Sequence, residues 1–151
     1  SPKVLYINSA WLWSSRGGEK LRILIIEDVD WCANSIAEAL KGLGDITVFT
    51  QVKVELESGF IDKRMPPLEK AVEAIKEADV VLLDEGLGLS YSGKQLLPYC
   101  GGKKVISISV SSIPGMVNWI EKLDLLDKSL ERNLVPHVAE RLRNLVVETT
   151  S

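Results

Sequence analysis

The chain has 151 residues, of which 46% are hydrophobic and 26% charged, a balance typical of one globular domain with a single core. Its formal net charge is −3, so a basic surface for nucleic acid is not expected. No apolar run approaches the roughly 20 residues of a membrane-spanning helix, no signal peptide is evident, and the two cysteines are far apart, which together predict a cytoplasmic protein with reduced thiols.

Short apolar runs alternate with amphipathic stretches along the chain. The apolar runs predict five strands covered on both faces, at residues 22–26, 45–50, 80–83, 104–108 and 123–126. Helices are predicted between and after them, at residues 30–41, 67–78, 93–99, 114–122 and 134–147. Residues 51–67 are polar and are predicted to be irregular. Because crossovers between parallel strands are right-handed, this alternation predicts a doubly wound α/β fold with a five-stranded parallel sheet flanked by helices.

Residues 1–20 do not follow this alternation. Residues 3–7 have the composition of an extra strand, and the apolar stretch 11–13 precedes a link rich in serine and glycine at residues 14–18. An edge strand, a docking segment and disorder are all compatible with this composition. The predicted organisation is an N-terminal extension, one domain and a short tail, at residues 1–20, 21–148 and 149–151.

The predicted strands are followed by polar residues suited to phosphoryl chemistry. Glu27 and Asp28 follow the first strand, Asp84 the third and Ser109 the fourth, while Lys128 lies just beyond the fifth. Ligands of open α/β sheets bind at the carboxyl ends of the strands, so these groups are expected to converge. Three neighbouring carboxylates repel one another, and Mg²⁺, which prefers oxygen ligands, relieves that repulsion. An aspartate beside Mg²⁺ can attack phosphorus, while a hydroxyl and an ammonium group can contact phosphoryl oxygens.

At these positions the sequence resembles the receiver domain of bacterial two-component response regulators. The resemblance covers about residues 21–147 and rests on four stretches in order, at residues 23–28, 79–84, 105–109 and 125–128. It implies the flavodoxin-like receiver fold. It also implies a role for each matching residue: metal binding for Glu27 and Asp28, phosphoacceptor for Asp84, metal ligation through the main-chain carbonyl for Gly86, the switch hydroxyl for Ser109 and the invariant lysine for Lys128.

The function implied by the resemblance is that of a stand-alone receiver domain. Asp84 would accept a phosphoryl group from a histidine kinase or a phosphotransfer protein, with Mg²⁺ as cofactor. The domain would signal by contact with a downstream protein target and would not be an enzyme beyond its own phosphoryl transfer and dephosphorylation. Neither nucleic acid nor membrane is expected as a partner, and a homodimer remains open.

Three positions depart from the family pattern. Val110 replaces the small residue that usually follows the switch hydroxyl, Leu125 stands in place of the aromatic switch residue, and Ser129 replaces a proline. Val110 and Leu125 motivate a second hypothesis, which is a receiver-fold interaction module that binds its partner independently of phosphorylation.

Residues 88–95 motivate a third hypothesis. They nearly match the phosphate-binding loop pattern GxxxxGK[ST], but Gln95 stands where the pattern needs a hydroxyl for Mg²⁺, and the loop does not follow its strand directly. The corresponding alternative is a small nucleotide- or phosphate-binding enzyme. The lone His137 is expected to be a surface residue and not a phosphorelay histidine.

Overall fold

The computed structural model describes residues 12–13, 21–87, 91–109, 119–121 and 136–148. The elements in chain order are β1 (Leu12–Trp13), β2 (Leu21–Ile26), α1 (Asp30–Leu40), β3 (Gly44–Phe49), β4 (Val52–Glu55), β5 (Ile61–Arg64), α2 (Leu68–Glu77), β6 (Val80–Leu83), α3 (Gly93–Leu96), a 3₁₀ turn (Leu97–Cys100), β7 (Lys104–Ser109), β8 (Trp119–Glu121) and α4 (Pro136–Glu148). None of the described helices combines the length and the apolar character needed to cross a membrane.

Within the described residues, six strands form one sheet in the order β1-β3-β2-β6-β7-β8. The five strands from β3 to β8 in this order run parallel, and β1 pairs antiparallel with the outer edge of β3. The chain passes from β2 outward to β3 and then returns across β2 to β6. Strand order therefore reverses between β2 and β6, which is where such sheets bind their ligands. The predicted doubly wound parallel sheet is confirmed.

The central strand β2 is apolar throughout because both of its faces are covered. Ile23 and Ile25 pack in one apolar cluster with buried residues of α1 and α4. Leu24 and Ile26 pack in a second cluster, on the opposite face, with buried residues of α2 and α3. Successive side chains of a strand point to opposite faces, so a continuous apolar run is what a strand between two helical layers requires.

Basic side chains from distant elements hold the carboxyl ends of two helices. The Arg143 guanidinium, on α4, donates hydrogen bonds to the carbonyls of Ala39 and Lys41 at 2.9 and 3.0 Å. The Lys103 ammonium donates to two carbonyls at the end of α2, both at 2.7 Å. These bonds satisfy carbonyls that the helices leave unpaired, and they place positive charge at the negative end of each helix dipole.

The prediction that residues 51–67 are irregular is wrong. Strands β4 and β5 pair antiparallel as a separate two-stranded hairpin, with Gly59 at positive φ in its turn. The alternation that indicates a strand is present, since Val52 and Val54 are buried while their neighbours are exposed. β4 is short and all of β5 is exposed, so the polar composition of residues 51–67 outweighed this alternation in the sequence-based prediction.

The prediction of a helix at residues 114–122 is also wrong for residues 119–121. Trp119–Glu121 forms β8, which pairs parallel with the carboxyl end of β7. Aromatic and β-branched residues favour strands, and the open edge of β7 supplies the backbone partners that this segment needs. The fifth parallel strand is therefore β8, and the strand predicted at residues 123–126 lies outside the described residues.

The N-terminal extension contributes an edge strand at the one place where it is described. Leu12 pairs with Thr47 and Trp13 with Ile46 in the antiparallel ladder between β1 and β3. This position agrees with the edge-strand alternative for the extension. The extra strand considered at residues 3–7 lies outside the described part of the chain.

Candidate functional site

Three carboxylates meet at the point where strand order reverses. One oxygen of each of Glu27, Asp28 and Asp84 lies within 4.8 Å of the others. Glu27 and Asp28 follow β2 and Asp84 follows β6, and these strands are hydrogen-bonded neighbours. The structure thus brings together the three acidic residues that the sequence predicts to form one site.

The sheet itself holds two of these residues in place. The Glu27 N–H donates a hydrogen bond to the Phe49 carbonyl at 3.0 Å, and the Asp84 N–H donates to the Ile26 carbonyl at 3.0 Å. Each bond continues a parallel ladder one residue beyond the end of its strand. Because the backbones are fixed by the ladders on both sides of β2, the carboxylates that they carry are fixed in relation to each other.

The loop after β2 is held by two further hydrogen bonds. The Val29 N–H donates to Glu27 Oε1 at 3.2 Å, and the Thr50 hydroxyl donates to the Asp28 carbonyl at 3.3 Å. Thr50 is buried directly after β3. Sequence reasoning missed Thr50, although a hydroxyl that follows an apolar strand at the ligand-binding edge of the sheet is a signal that could have indicated it.

The site is shielded from water. Glu27 is 1% exposed and Asp84 4% exposed, while Asp28 is half-buried. Glu27 Oε2 and Asp28 Oδ1 are both buried atoms. Several carboxylate oxygens buried side by side repel strongly at low dielectric, and a hard dication offsets that repulsion. Since all the donors are oxygens, the residues present fit Mg²⁺ or a similar divalent cation.

The loop after Asp84 folds back onto its own start. The Gly93 N–H, at the beginning of α3, donates to the Glu85 carbonyl at 2.9 Å, and the Lys94 N–H donates to Glu85 Oε2 at 2.8 Å. Gly86 forms an isolated antiparallel bridge with Ser92. A Cβ atom on Gly86 would meet open space, so this position does not require glycine for steric reasons. Its role as a carbonyl ligand stays a prediction.

Ser109 ends β7, the strand next to β6, so its backbone lies at the edge of the sheet that carries the three carboxylates. The other predicted features of the switch lie outside what the structure describes, namely the side chains of Ser109 and His137 and the whole of residues Val110, Leu125, Lys128 and Ser129. The roles assigned to these residues stay predictions.

The geometry around Gln95 does not favour a nucleotide-binding loop. The Ser92 N–H donates to Gln95 Oε1 at 2.7 Å, and the Gln95 N–H donates to Ser92 Oγ at 3.3 Å. This reciprocal pair is a capping box that opens α3. The Gln95 side chain therefore closes the start of a short helix, and it offers no hydroxyl for a metal–nucleotide complex.

No protein-family model and no curated protein matches this sequence. Solved structures do share its fold. One is a fusion protein with the yeast Spc42 trimeric coiled coil, at 19% identity and TM-score 0.53, covering 86% of this chain and 78% of that chain. Another is the response regulator domain of Thermotoga maritima CheB, at 17% identity and TM-score 0.51, covering 85% and 97%.

A weaker match, with a similarity too low to indicate a shared fold, is the N-terminal domain of a response regulator/sensory box/GGDEF protein from Carboxydothermus hydrogenoformans, at 20% identity and TM-score 0.49, covering 85% and 98%. The likeness to the CheB domain spans most of both chains. At this level of identity it shows the fold, and the fold is that of response regulator receiver domains.

Proposed function

We propose that this chain, which has the receiver fold, is a phosphoacceptor domain of a two-component pathway. Asp84 would accept a phosphoryl group from a histidine kinase or a phosphotransfer protein, and Glu27 and Asp28 would hold the divalent cation. The observation that carries this proposal is the meeting of the three carboxylates within 4.8 Å at the reversal of strand order. A cation-binding site at this place in a receiver fold is suited to phosphoryl transfer.

The proposed chemistry is a single displacement at phosphorus. An Asp84 carboxylate oxygen attacks the phosphorus atom and forms an acyl phosphate, while the bond from phosphorus to the donor atom breaks and its electron pair leaves with the donor. A bound divalent cation would offset the charge on the phosphoryl oxygens. The ladder hydrogen bond from the Asp84 N–H fixes the backbone of the nucleophile, which reduces the reorganisation needed for attack.

The acyl phosphate would then be sensed by Ser109 and Lys128 and change a surface that binds a protein target. Leu125 motivates the second candidate, since it replaces the aromatic residue whose rotation transmits the switch in the family. In that case the domain would bind its partner equally well with and without phosphodonor. Nucleotide binding is disfavoured by the capping role of Gln95.

Intact-mass spectrometry after incubation with acetyl phosphate and MgCl₂ tests the proposal. The wild-type chain is expected to gain one phosphoryl group, and Asp84→Asn none. Asp45→Asn is a matched control because Asp45 is a partly buried aspartate near the start of β3, at the opposite edge of the sheet. The proposal fails if the wild type gains no adduct or if Asp84→Asn gains as much as Asp45→Asn.

A further inference from the structure

A cavity of about 230 Å³ lies beside the acidic cluster. One wall belongs to the loop after β2 and the start of α1, and the other belongs to the β4–β5 hairpin and the residue before it. Its lining residues are Asp28, Val29 and Asp30 on the first wall and Gln51, Val52, Lys53 and Lys63 on the second. Asp28 is thus shared between this cavity and the cation-binding cluster.

The hairpin wall carries two like charges side by side. Lys53 and Lys63 are direct partners across the β4–β5 ladder, and both are exposed. Like charges directly opposite each other destabilise a strand pair. Within the part of the chain that the structure describes, neither ammonium forms an ion pair with a carboxylate. The hairpin therefore keeps an unfavourable charge pair next to the site.

Two carboxylates near this pair are hydrogen-bonded to other groups. Asp62 Oδ1 accepts a hydrogen bond from the Lys63 N–H at 2.8 Å, and Asp62 Oδ2 pairs with Arg64 Nε at 3.2 Å. On the opposite wall, Asp30 Oδ1 accepts from the Trp31 N–H at 2.7 Å. None of these contacts involves a lysine ammonium, so the two ammonium groups can contact an external anion.

The hairpin that carries the lysines is anchored. Val52 is 5% exposed, Val54 is fully buried and Met65 is 4% exposed. The backbone positions of both lysines are therefore fixed relative to Asp28, that of Lys53 by the buried residues of β4 and that of Lys63 by its pairing with Lys53.

We propose that Lys53 and Lys63 form an anion subsite for the phosphoryl donor, next to the cation held by Asp28. This inference rests on the proposed function. The cavity lined by the two lysines also includes Asp28, so a phosphoryl dianion bound there would lie beside a residue proposed to hold the cation. The subsite would raise the local concentration of doubly charged donors and so select donors by their negative charge.

A direct binding measurement tests the subsite separately from phosphorylation. Asp84→Asn protein, labelled with ¹⁵N and kept in EDTA, is titrated with sodium phosphate at constant ionic strength. Saturable shifts of the Lys53 and Lys63 amide signals are expected, and Lys53→Gln/Lys63→Gln should abolish them. Absence of saturation, or unchanged shifts in that double variant, overturns the subsite.

The matched control is Lys70→Gln/Lys76→Gln, which removes two positive charges from exposed positions of α2. It should leave the phosphate titration unchanged, because these lysines do not line the cavity. An equal loss of binding in the control would show that net charge is responsible and would overturn the assignment to the hairpin.

A kinetic measurement tests donor selection. Acetyl phosphate carries two negative charges near neutral pH, whereas phosphoramidate carries a net charge of one. Lys53→Gln/Lys63→Gln is expected to lower the rate with acetyl phosphate about three- to tenfold, and the rate with phosphoramidate by less. An unchanged ratio of the two rates overturns donor selection. Failure of the wild type to react with either donor would instead contradict the proposed function, and the titration would still decide the subsite.

Discussion

Gly93 lies directly against the backbone of Asp84, so that a Cβ atom on Gly93 would overlap the Asp84 carbonyl oxygen. The contact closes the loop that follows the proposed phosphoacceptor. It also explains why α3 begins with a glycine, since the Asp84 backbone, unlike a flexible side chain, could not move aside for a larger residue. The position of Asp84 and the start of α3 are therefore coupled.

Gly93→Ala should lower the free energy of unfolding by about 1–3 kcal/mol, because the added methyl group must displace backbone. It should also slow phosphorylation of Asp84, since that backbone carries the nucleophile. Urea unfolding and the rate of adduct formation measure the two effects. Gly86→Ala is the control, as a Cβ atom there meets open space, and it should change stability by less than about 0.5 kcal/mol. Equal effects of the two substitutions would contradict the coupling.

Divalent cation should stabilise the wild-type chain through the acidic cluster. At ten times its dissociation constant, Mg²⁺ is expected to add about 1.4 kcal/mol to the free energy of unfolding. Asp28→Asn should remove most of this gain, and in EDTA it should be more stable than the wild type because one repelling charge is gone. Thermal unfolding with MgCl₂ and with EDTA measures both effects. Asp45→Asn should keep the wild-type response, and a response retained by Asp28→Asn would argue against this site.

The pair Arg22–Asp79 should make stability depend on pH in the acid range. The Arg22 guanidinium lies 3.2 Å from the Asp79 carboxylate, and its hydrogen bonds lower the pKa of Asp79 below the ordinary 3.8. A carboxyl group with a lowered folded-state pKa stabilises the fold above its ordinary pKa, and this contribution is lost as pH falls through the folded-state value. Arg22 stays protonated across this acid range, so protonation of Asp79 alone determines the pH at which the contribution of the pair to stability is lost.

Asp79→Asn should therefore be less stable than the wild type at pH 7, and the difference should shrink below pH 4. The effect is expected to be small because both side chains are more than a third exposed. Urea unfolding of both proteins across this pH range measures it. A difference that stays constant down to the acid limit would mean that the Arg22–Asp79 charge pair is not its source.

The thiol of Cys100 should be unreactive in the folded chain. Burial raises its pKa to about 11, and its Sγ donates a weak hydrogen bond to the Leu96 carbonyl. At pH 8 only about a thousandth of such a thiol is thiolate, which is the reactive form. Cys32 is also buried. Ellman's reagent should react with both thiols in urea and only slowly in buffer, and a fast reaction of both thiols in buffer would contradict the burial of Cys100.

The local pattern of residues determined most of the elements. The strand predicted at residues 80–83 is observed with the same bounds, and β2 and β7 differ from prediction by one residue at one end. A strand between two helical layers must be apolar throughout, so its composition alone marks it. The prediction missed three short strands, β4, β5 and β8. Each is stabilised by pairing with another strand, and a strand's own composition does not identify its partner.

The sequence by itself indicated which residues carry the candidate chemistry, because Glu27, Asp28 and Asp84 each follow a short apolar run typical of a buried strand. Only the tertiary structure decided that they are neighbours. The alternation of strands and helices is compatible with several strand orders, and the carboxylates meet because β6 returns to the free edge of β2. The same holds for Lys53 and Lys63. Their hairpin pairs locally, but its place beside Asp28 depends on how it packs against the rest of the domain.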